Sequence, residues 1–150
     1  MSIILERVLD AADLDRLRQG LAETPWTPGK RTAGATARSV KDNLQADGSD
    51  PRVRALERFV AEALQRHPLF EIAARPARLS RLLFSRYEPG MTYGAHTDDA
   101  LMGGGEDRLR SDLALTLFLA EADTYDGGEL VVQSALGDQR IKLAAGDAIL

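Results

Sequence analysis

In Ser111-Asp112-Leu113-Ala114-Leu115-Thr116-Leu117-Phe118-Leu119, leucine returns at 113, 115, 117 and 119. Residues two apart share a face of an extended chain, so this alternation predicts a strand with four leucines turned to a core. Leu79 to Tyr87 reads as another strand upstream. Downstream, Glu129 to Ala135 and Gln139 to Leu143 are β-like runs separated by Leu136-Gly137-Asp138, a hairpin signal, and Ala148 looks like the opening of a further strand. Towards the amino end the period is helical instead. Asp10 is a candidate N-cap with Asp13 three residues on, and Leu14, Leu17 and Leu21 form a stripe that Gly20 and Pro25 close. A second helix begins at Ser49 or Asp50 with Pro51 in its first turn, runs along Val53, Leu56, Val60 and Leu64, and ends at His67-Pro68. Between them, Trp26 to Gly48 reads as loop with one exposed strand. Helices first and strands afterwards predict an α+β fold, with helices packed on the outside of a meandering sheet or sandwich.

Composition narrows the rest. At 150 residues and 44% hydrophobic, the chain suits one domain with one core. We read residues 1–76 as mainly helical support and 77–150 as the β-core. The absence of cysteine rules out disulfide scaffolds, Cys-ligated zinc and thiol catalysis. With 19 Lys+Arg against 23 Asp+Glu the formal charge is -4, so no nucleic-acid partner is expected. No apolar run approaches the ~20 residues of a bilayer span, and Glu6, Arg7 and Asp10 interrupt the first residues, which predicts a cytoplasmic protein without signal peptide or membrane anchor. At the other end, Ala148-Ile149-Leu150 is apolar directly after the turn-like Ala145-Gly146-Asp147. The expectation is that the polypeptide is truncated here, or that this end buries itself in an unusual way.

Two histidines occur. His67 follows the second helix and suits an imidazole near helix carbonyls at a C-terminus. His96 lies in Tyr93-Gly94-Ala95-His96-Thr97-Asp98, where the i, i+2 spacing brings an imidazole nitrogen and a carboxylate oxygen side by side. That is half of a divalent-metal site. The same spacing equally serves a histidine hydrogen-bonded to a neighbouring aspartate on a loop.

Around His96 stand Arg86-Tyr87-Glu88-Pro89-Gly90-Met91-Thr92-Tyr93, the leucine strand, Tyr125-Asp126-Gly127-Gly128-Glu129-Leu130 and Ala145-Gly146-Asp147. In this order they resemble the double-stranded β-helix of the iron(II)- and 2-oxoglutarate-dependent dioxygenases, more narrowly the PKHD-type hydroxylases of bacteria, relatives of prolyl hydroxylases. The resemblance runs from the first helix to Leu150 and is most specific from Phe84 to Asp98 and in Tyr-Asp-Gly-Gly-Glu-Leu. It implies a jelly-roll or cupin-like double-stranded β-helix. It further implies hydroxylation of an unactivated C–H bond, prolyl or lysyl side chains being what the family name suggests, with 2-oxoglutarate decarboxylated to succinate. Fe(II), 2-oxoglutarate and O2 are the implied cofactors and cosubstrates, and the resemblance admits ascorbate beside them. The substrate would be a small molecule or a peptidyl side chain, and a homo-oligomer is compatible.

On the same resemblance, His96 and Asp98 match the family's first two iron ligands and Tyr87 the tyrosine near the cosubstrate. The second histidine, and the arginine that pairs with the distal carboxylate of 2-oxoglutarate, are expected past Leu150. Glu129 and Asp147 are acidic residues in the same half, but each sits beside glycine in a turn, where backbone or solvent contacts are expected. Arg81 and Arg86 have the charge to reach the cosubstrate, or form a solvated strand face. Tyr93 lines an entrance or covers the core. Gly127 and Gly128 permit positive φ before a strand. Gly103-Gly104-Gly105, flanked by Asp99, Glu106, Asp107, Arg108 and Arg110, is a lid over the metal or a solvated loop. A chain ending here is expected to turn over weakly or not at all. Two rival functions share these residues: a non-catalytic β-sandwich module for binding or assembly, in which His96 and Asp98 merely hydrogen-bond, and a cupin-type metal hydrolase or isomerase without 2-oxoglutarate.

Overall fold

A computed structural model describes residues 2–103 and 105–150. In chain order its elements are β1 (Ile4–Leu5), α1 (Ala11–Ala22), β2 (Trp26–Pro28), a 3-10 turn (Gly29–Thr32), α2 (Ala35–Arg38), β3 (Lys41–Asp42), β4 (Leu44–Ala46), α3 (Pro51–Arg66), α4 (Pro68–Ala74), β5 (Ser85–Arg86) and β6 (Thr92–Tyr93). There follow β7 (Leu101–Met102), a 3-10 turn (Gly105–Asp107), β8 (Leu109–Arg110), β9 (Thr116–Leu117), β10 (Leu130–Val132), β11 (Gln139–Ile141) and β12 (Ala148–Ile149).

The helices form where their caps place them. The Asp10 carboxylate accepts the Asp13 N–H at 2.9 Å, and α1 buries Leu14, Leu17 and Leu21. Asp50 accepts the Arg52 N–H at 2.8 Å, Pro51 occupies the first turn, and α3 buries Val53, Val60, Ala63 and Leu64. Gly20 does not close α1 but lies inside it. A Cβ there would meet Leu56 Cδ2 at 2.9 Å, so the missing side chain lets the two helices approach. His67-Pro68 ends α3 as expected, but the chain enters a further helix, α4, at once, since proline suits a helix's first turn, and α4 buries Phe70. These residues share one core with Leu5, Val8, Leu9, Ala46, Phe84 and Ala148. Full burial of a side chain such as Leu17 is worth about 1.5–3 kcal/mol.

All ladders are antiparallel. One sheet has the order β1-β12-β9, which seats Ala148 opposite both Leu5 and Leu117 and buries it completely. The strand expected at Ala148 is therefore central. A second sheet has the order β2-β4-β5, and β3-β6, β7-β8 and β10-β11 pair separately. The hairpin stands as expected, with Leu130 opposite Ile141 and Val132 opposite Gln139. Three expectations are corrected. The stretch from Trp26 to Gly48 supplies β2, β3 and β4, which its composition hid because three of the buried positions in and between β3 and β4 are polar, Lys41, Asn43 and Gln45. The strand from Leu79 to Tyr87 contracts to β5, because only Leu44 and Gln45 of β4 pair with it. The leucine strand contracts to β9: Leu115, Leu117 and Leu119 rest against the core, whereas Leu113 is 55% exposed. The architecture is α+β, compatible with a jelly roll, and among the described residues no helix is long and apolar enough to cross a membrane.

Candidate functional site

The site grows from the pairing of β3 with β6, which sets Tyr93 opposite Lys41 and Thr92 opposite Asp42. The Gly94 N–H extends that ladder by donating to the Val40 carbonyl at 2.7 Å. Past this anchor the chain is irregular, and His96 folds back so that its Nδ1 meets the Gly94 carbonyl at 2.8 Å. A carbonyl only accepts, so Nδ1 carries the proton and, in the neutral ring, Nε2 keeps its lone pair. Nε2 faces Asp98 Oδ1 at 3.4 Å. Two acceptors thus converge with no proton of their own to share, an arrangement suited to a cation between them. The Tyr93 ring stacks on the imidazole, centroids 3.7 Å apart and planes 12° from parallel, and fixes its orientation. With the His96 side chain 23% exposed and Asp98 65% exposed, an ion has access from solvent.

Tyr93 therefore lies against His96 and is not the lid of the core. Burial, and after it the Asp98 charge, push its phenol above the ordinary tyrosine value. Tyr87 is half-exposed; burial raises its phenol too, and the nearby Asn43 amide acts the other way.

Other residues singled out in the sequence serve elsewhere. Arg81 is neither cosubstrate-facing nor part of a free solvated face: it pairs with Glu57 of α3 at 2.6 Å and donates to the Gly48 carbonyl at 2.8 Å. Arg86 lies over the Trp26 ring at 3.9 Å. Asp147 accepts the Arg7 N–H at 2.8 Å, the backbone use expected of it, and Glu129 is exposed. His67 sits at the end of α3, but its Nε2 bonds the carbonyl of Glu6 at 3.0 Å and not a helix carbonyl. Gly127 and Gly128 do take positive φ, +67° and +69°. In the glycine-rich loop, Gly104 lies outside the described residues.

Sequence reasoning passed over a row of buried polar residues that begins beside this site at Lys41. Lys41, Asn43 and Gln45 are 4%, 3% and 4% exposed, deep for such side chains. Lys41 Nζ donates to Thr32 Oγ1 at 3.2 Å and stands 4.9 Å from the centre of the Tyr93 ring. Burial lowers its pKa, while the charge of Asp98 works to raise it, which ties the lysine electrostatically to the His96–Asp98 pair. Neither amide atom of Asn43 has a hydrogen bond of ordinary geometry, Tyr87 notwithstanding. Leaving such a group unpaired costs about 1–3 kcal/mol. In Lys41-Asp42-Asn43-Leu44-Gln45 every residue but Leu44 is polar, so no alternation of polarity marks the buried positions 41, 43 and 45.

His96 and Asp98 fit iron(II) as an imidazole and a carboxylate donor, and among the described residues no group of three or more His, Asp or Glu side chains gathers around a metal position. Fold and site together define an α+β protein with a solvent-accessible imidazole–carboxylate pair of the kind a divalent ion takes. No family model matches the chain. Over all 150 residues it is 48% identical to a PKHD-type hydroxylase of Thioalkalivibrio sulfidiphilus and 45% identical to one of Synechococcus elongatus, in each case covering 67% of the relative. A PKHD-type hydroxylase of Maricaulis maris is 47% identical over the same 150 residues, 66% of its length. The chain belongs to the PKHD-type hydroxylases, and it spans about two thirds of the length of these relatives.

Proposed function

We propose that the protein is an Fe(II)- and 2-oxoglutarate-dependent dioxygenase that hydroxylates an unactivated C–H bond, built on a double-stranded β-helix of which the short antiparallel ladders are parts. The observation that carries this reading is the approach of His96 Nε2 to Asp98 Oδ1, 3.4 Å, with the other ring nitrogen held by the Gly94 carbonyl. In a member of this family, His96 and Asp98 would hold the iron. When bound, iron and 2-oxoglutarate supply the activation of O2, with the cosubstrate leaving as succinate and CO2. The protein's own part is positional. The Gly94 carbonyl keeps the imidazole in the tautomer that donates through Nε2, and the Tyr93 ring holds its plane. The Tyr87 hydroxyl, which can donate a hydrogen bond, would orient a carboxylate of the cosubstrate.

The test is an anaerobic titration of the protein with Fe(II), then with 2-oxoglutarate. A visible charge-transfer absorption on the second addition, lost in His96→Ala and in Asp98→Ala, is the expected result. Metal binding without that absorption supports a cupin-type hydrolase or isomerase, and binding of neither supports a non-catalytic module.

A further inference from the structure

Resting on the proposed role of His96 as a metal donor, we infer that Lys41 is a positioning residue: its buried ammonium anchors the Tyr93 ring and, through that ring, the imidazole. The three side chains are held very unequally. Tyr93 is half-buried on a ladder two residues long, and His96 lies past the end of that ladder in irregular chain. The Gly94 N–H, donating to the Val40 carbonyl at 2.7 Å, ties the two backbones together, but backbone pairing sets where the Cα atoms stand and not how the rings turn. Lys41, in contrast, is 4% exposed. A Cβ on Gly29 would come within 3.2 Å of its Cε, so the stem is closely packed. Its Nζ donates to Thr32 Oγ1 at 3.2 Å, and that hydroxyl donates onward to Gln45 Oε1. The ammonium is the fixed point of the group.

What it fixes is the ring opposite it in the β3–β6 ladder. Nζ stands 4.9 Å from the centre of the Tyr93 ring, and the same ring stacks on His96 at 3.7 Å with planes 12° apart. A cation is drawn to a ring face by the quadrupole, and the attraction grows where water is excluded. An imidazole stacked on a ring held in this way keeps Nε2 towards Asp98 Oδ1, 3.4 Å distant, with no bond of its own to Lys41. The fold alone gives little reason for the charge. Among the described residues no carboxylate lies within ion-pairing distance of Lys41. An ammonium with one hydroxyl partner in a dry place costs stability that an apolar side chain of similar length would not. The Asp98 charge acts on both the Tyr93 phenol and the lysine, so ammonium, ring and metal pair share one electrostatic neighbourhood. By charge alone Lys41 repels a divalent ion. Positioning and repulsion therefore pull Lys41→Met in opposite directions, and the sign of the change separates them.

Proton–carbon NMR of the full metal-free chain at about pH 8, above the ordinary imidazole range, reads the stack directly. The His96 ring protons should be shielded by the Tyr93 ring, with His67 as the reference. Lys41→Met and Lys41→Gln, the second of which keeps an N–H for Thr32, should lose most of that shielding while the thermal transition is kept or raised. Tyr93→Phe should retain the shielding and Tyr93→Leu abolish it. In calorimetry, Zn(II) should bind about three- to tenfold more weakly to Lys41→Met and to Tyr93→Leu, and Lys41→Met should add nothing in the Tyr93→Leu background. Folded Lys41 variants with wild-type shielding, a wild type without shielding, or a Lys41→Met protein that takes up Zn(II) as tightly as the wild type or more tightly, would overturn the inference. A wild type that binds no Zn(II), while Lys41→Met still loses the shielding, would overturn the proposed metal site and leave Lys41 as the anchor of the stack.

Discussion

Residues 3–84 and residues 85–147 are built on different principles. The first region carries α1, α3 and α4 and almost the whole core, with Leu5, Leu17 and Leu64 fully buried. In the second, among the described residues, Phe118 is the one buried apolar side chain. Its ladders are two or three residues long, and Leu101, Leu113 and Leu136 are largely exposed. The candidate site falls at the seam, its imidazole and carboxylate on the thin side and Lys41 beside them on the packed side. A packed region fixes position by volume, whereas the thin one relies on a few hydrogen bonds and a ring stack. Stability and function should accordingly respond to different substitutions.

The largest expected effect breaks the packed side. Leu17→Ala should lower unfolding free energy by about 2–5 kcal/mol in urea titrations, whereas Leu113→Ala should stay within about 0.5 kcal/mol. Equal losses would erase the contrast. Next comes the ion pair that fastens the chain before β5 to α3. Arg81→Met strands the buried Glu57 carboxylate and should cost about 1–2 kcal/mol, held down because the arginine itself is 58% exposed.

A smaller effect concerns acid. Hydrogen bonds from the Arg52 side chain and then its N–H lower Asp50 from 3.8 to about 2. A carboxyl depressed in the folded state contributes stability above its unfolded value, and that contribution is lost as pH falls from there through about 2. Melting curves of Asp50→Asn, which keeps a capping oxygen, should show less acid sensitivity in that window. An unchanged profile would detach Asp50 from the acid response. Smallest of all, His96→Ala and Asp98→Ala should each move the stability of the metal-free protein by no more than about 0.5 kcal/mol. A larger loss in denaturant would mean that the pair braces the fold instead of waiting for an ion.

The same division governs what could be read in advance. α1 and α3 were legible because capping residue, proline and leucine spacing agree on each helix, and β10 with β11 because Gly137 marks the turn. β1 and α4 were not, since two residues carry no period and a helix opening on Pro68 directly after another resembles a stop. In and between β3 and β4 the buried Lys41, Asn43 and Gln45 are polar and so is the exposed Asp42, so polarity carries no period that separates the faces. His96 and Asp98 were legible for a local reason, two residues on one side of a short stretch. Lys41 comes beside that pair only through the β3–β6 ladder, which no local pattern announces.

The central claim is that Nε2 of His96 and a carboxylate oxygen of Asp98 are set to take a divalent ion between them. Nitrogen NMR of the protein labelled at both histidines, before and after one equivalent of Zn(II), tests it with His67 as internal control. The account predicts a protonated Nδ1 on His96 throughout and a large shift confined to its Nε2, abolished by Asp98→Ala. A shift at His67 alone, or a His96 ring whose Nε2 carries the proton and ignores the metal, would contradict it.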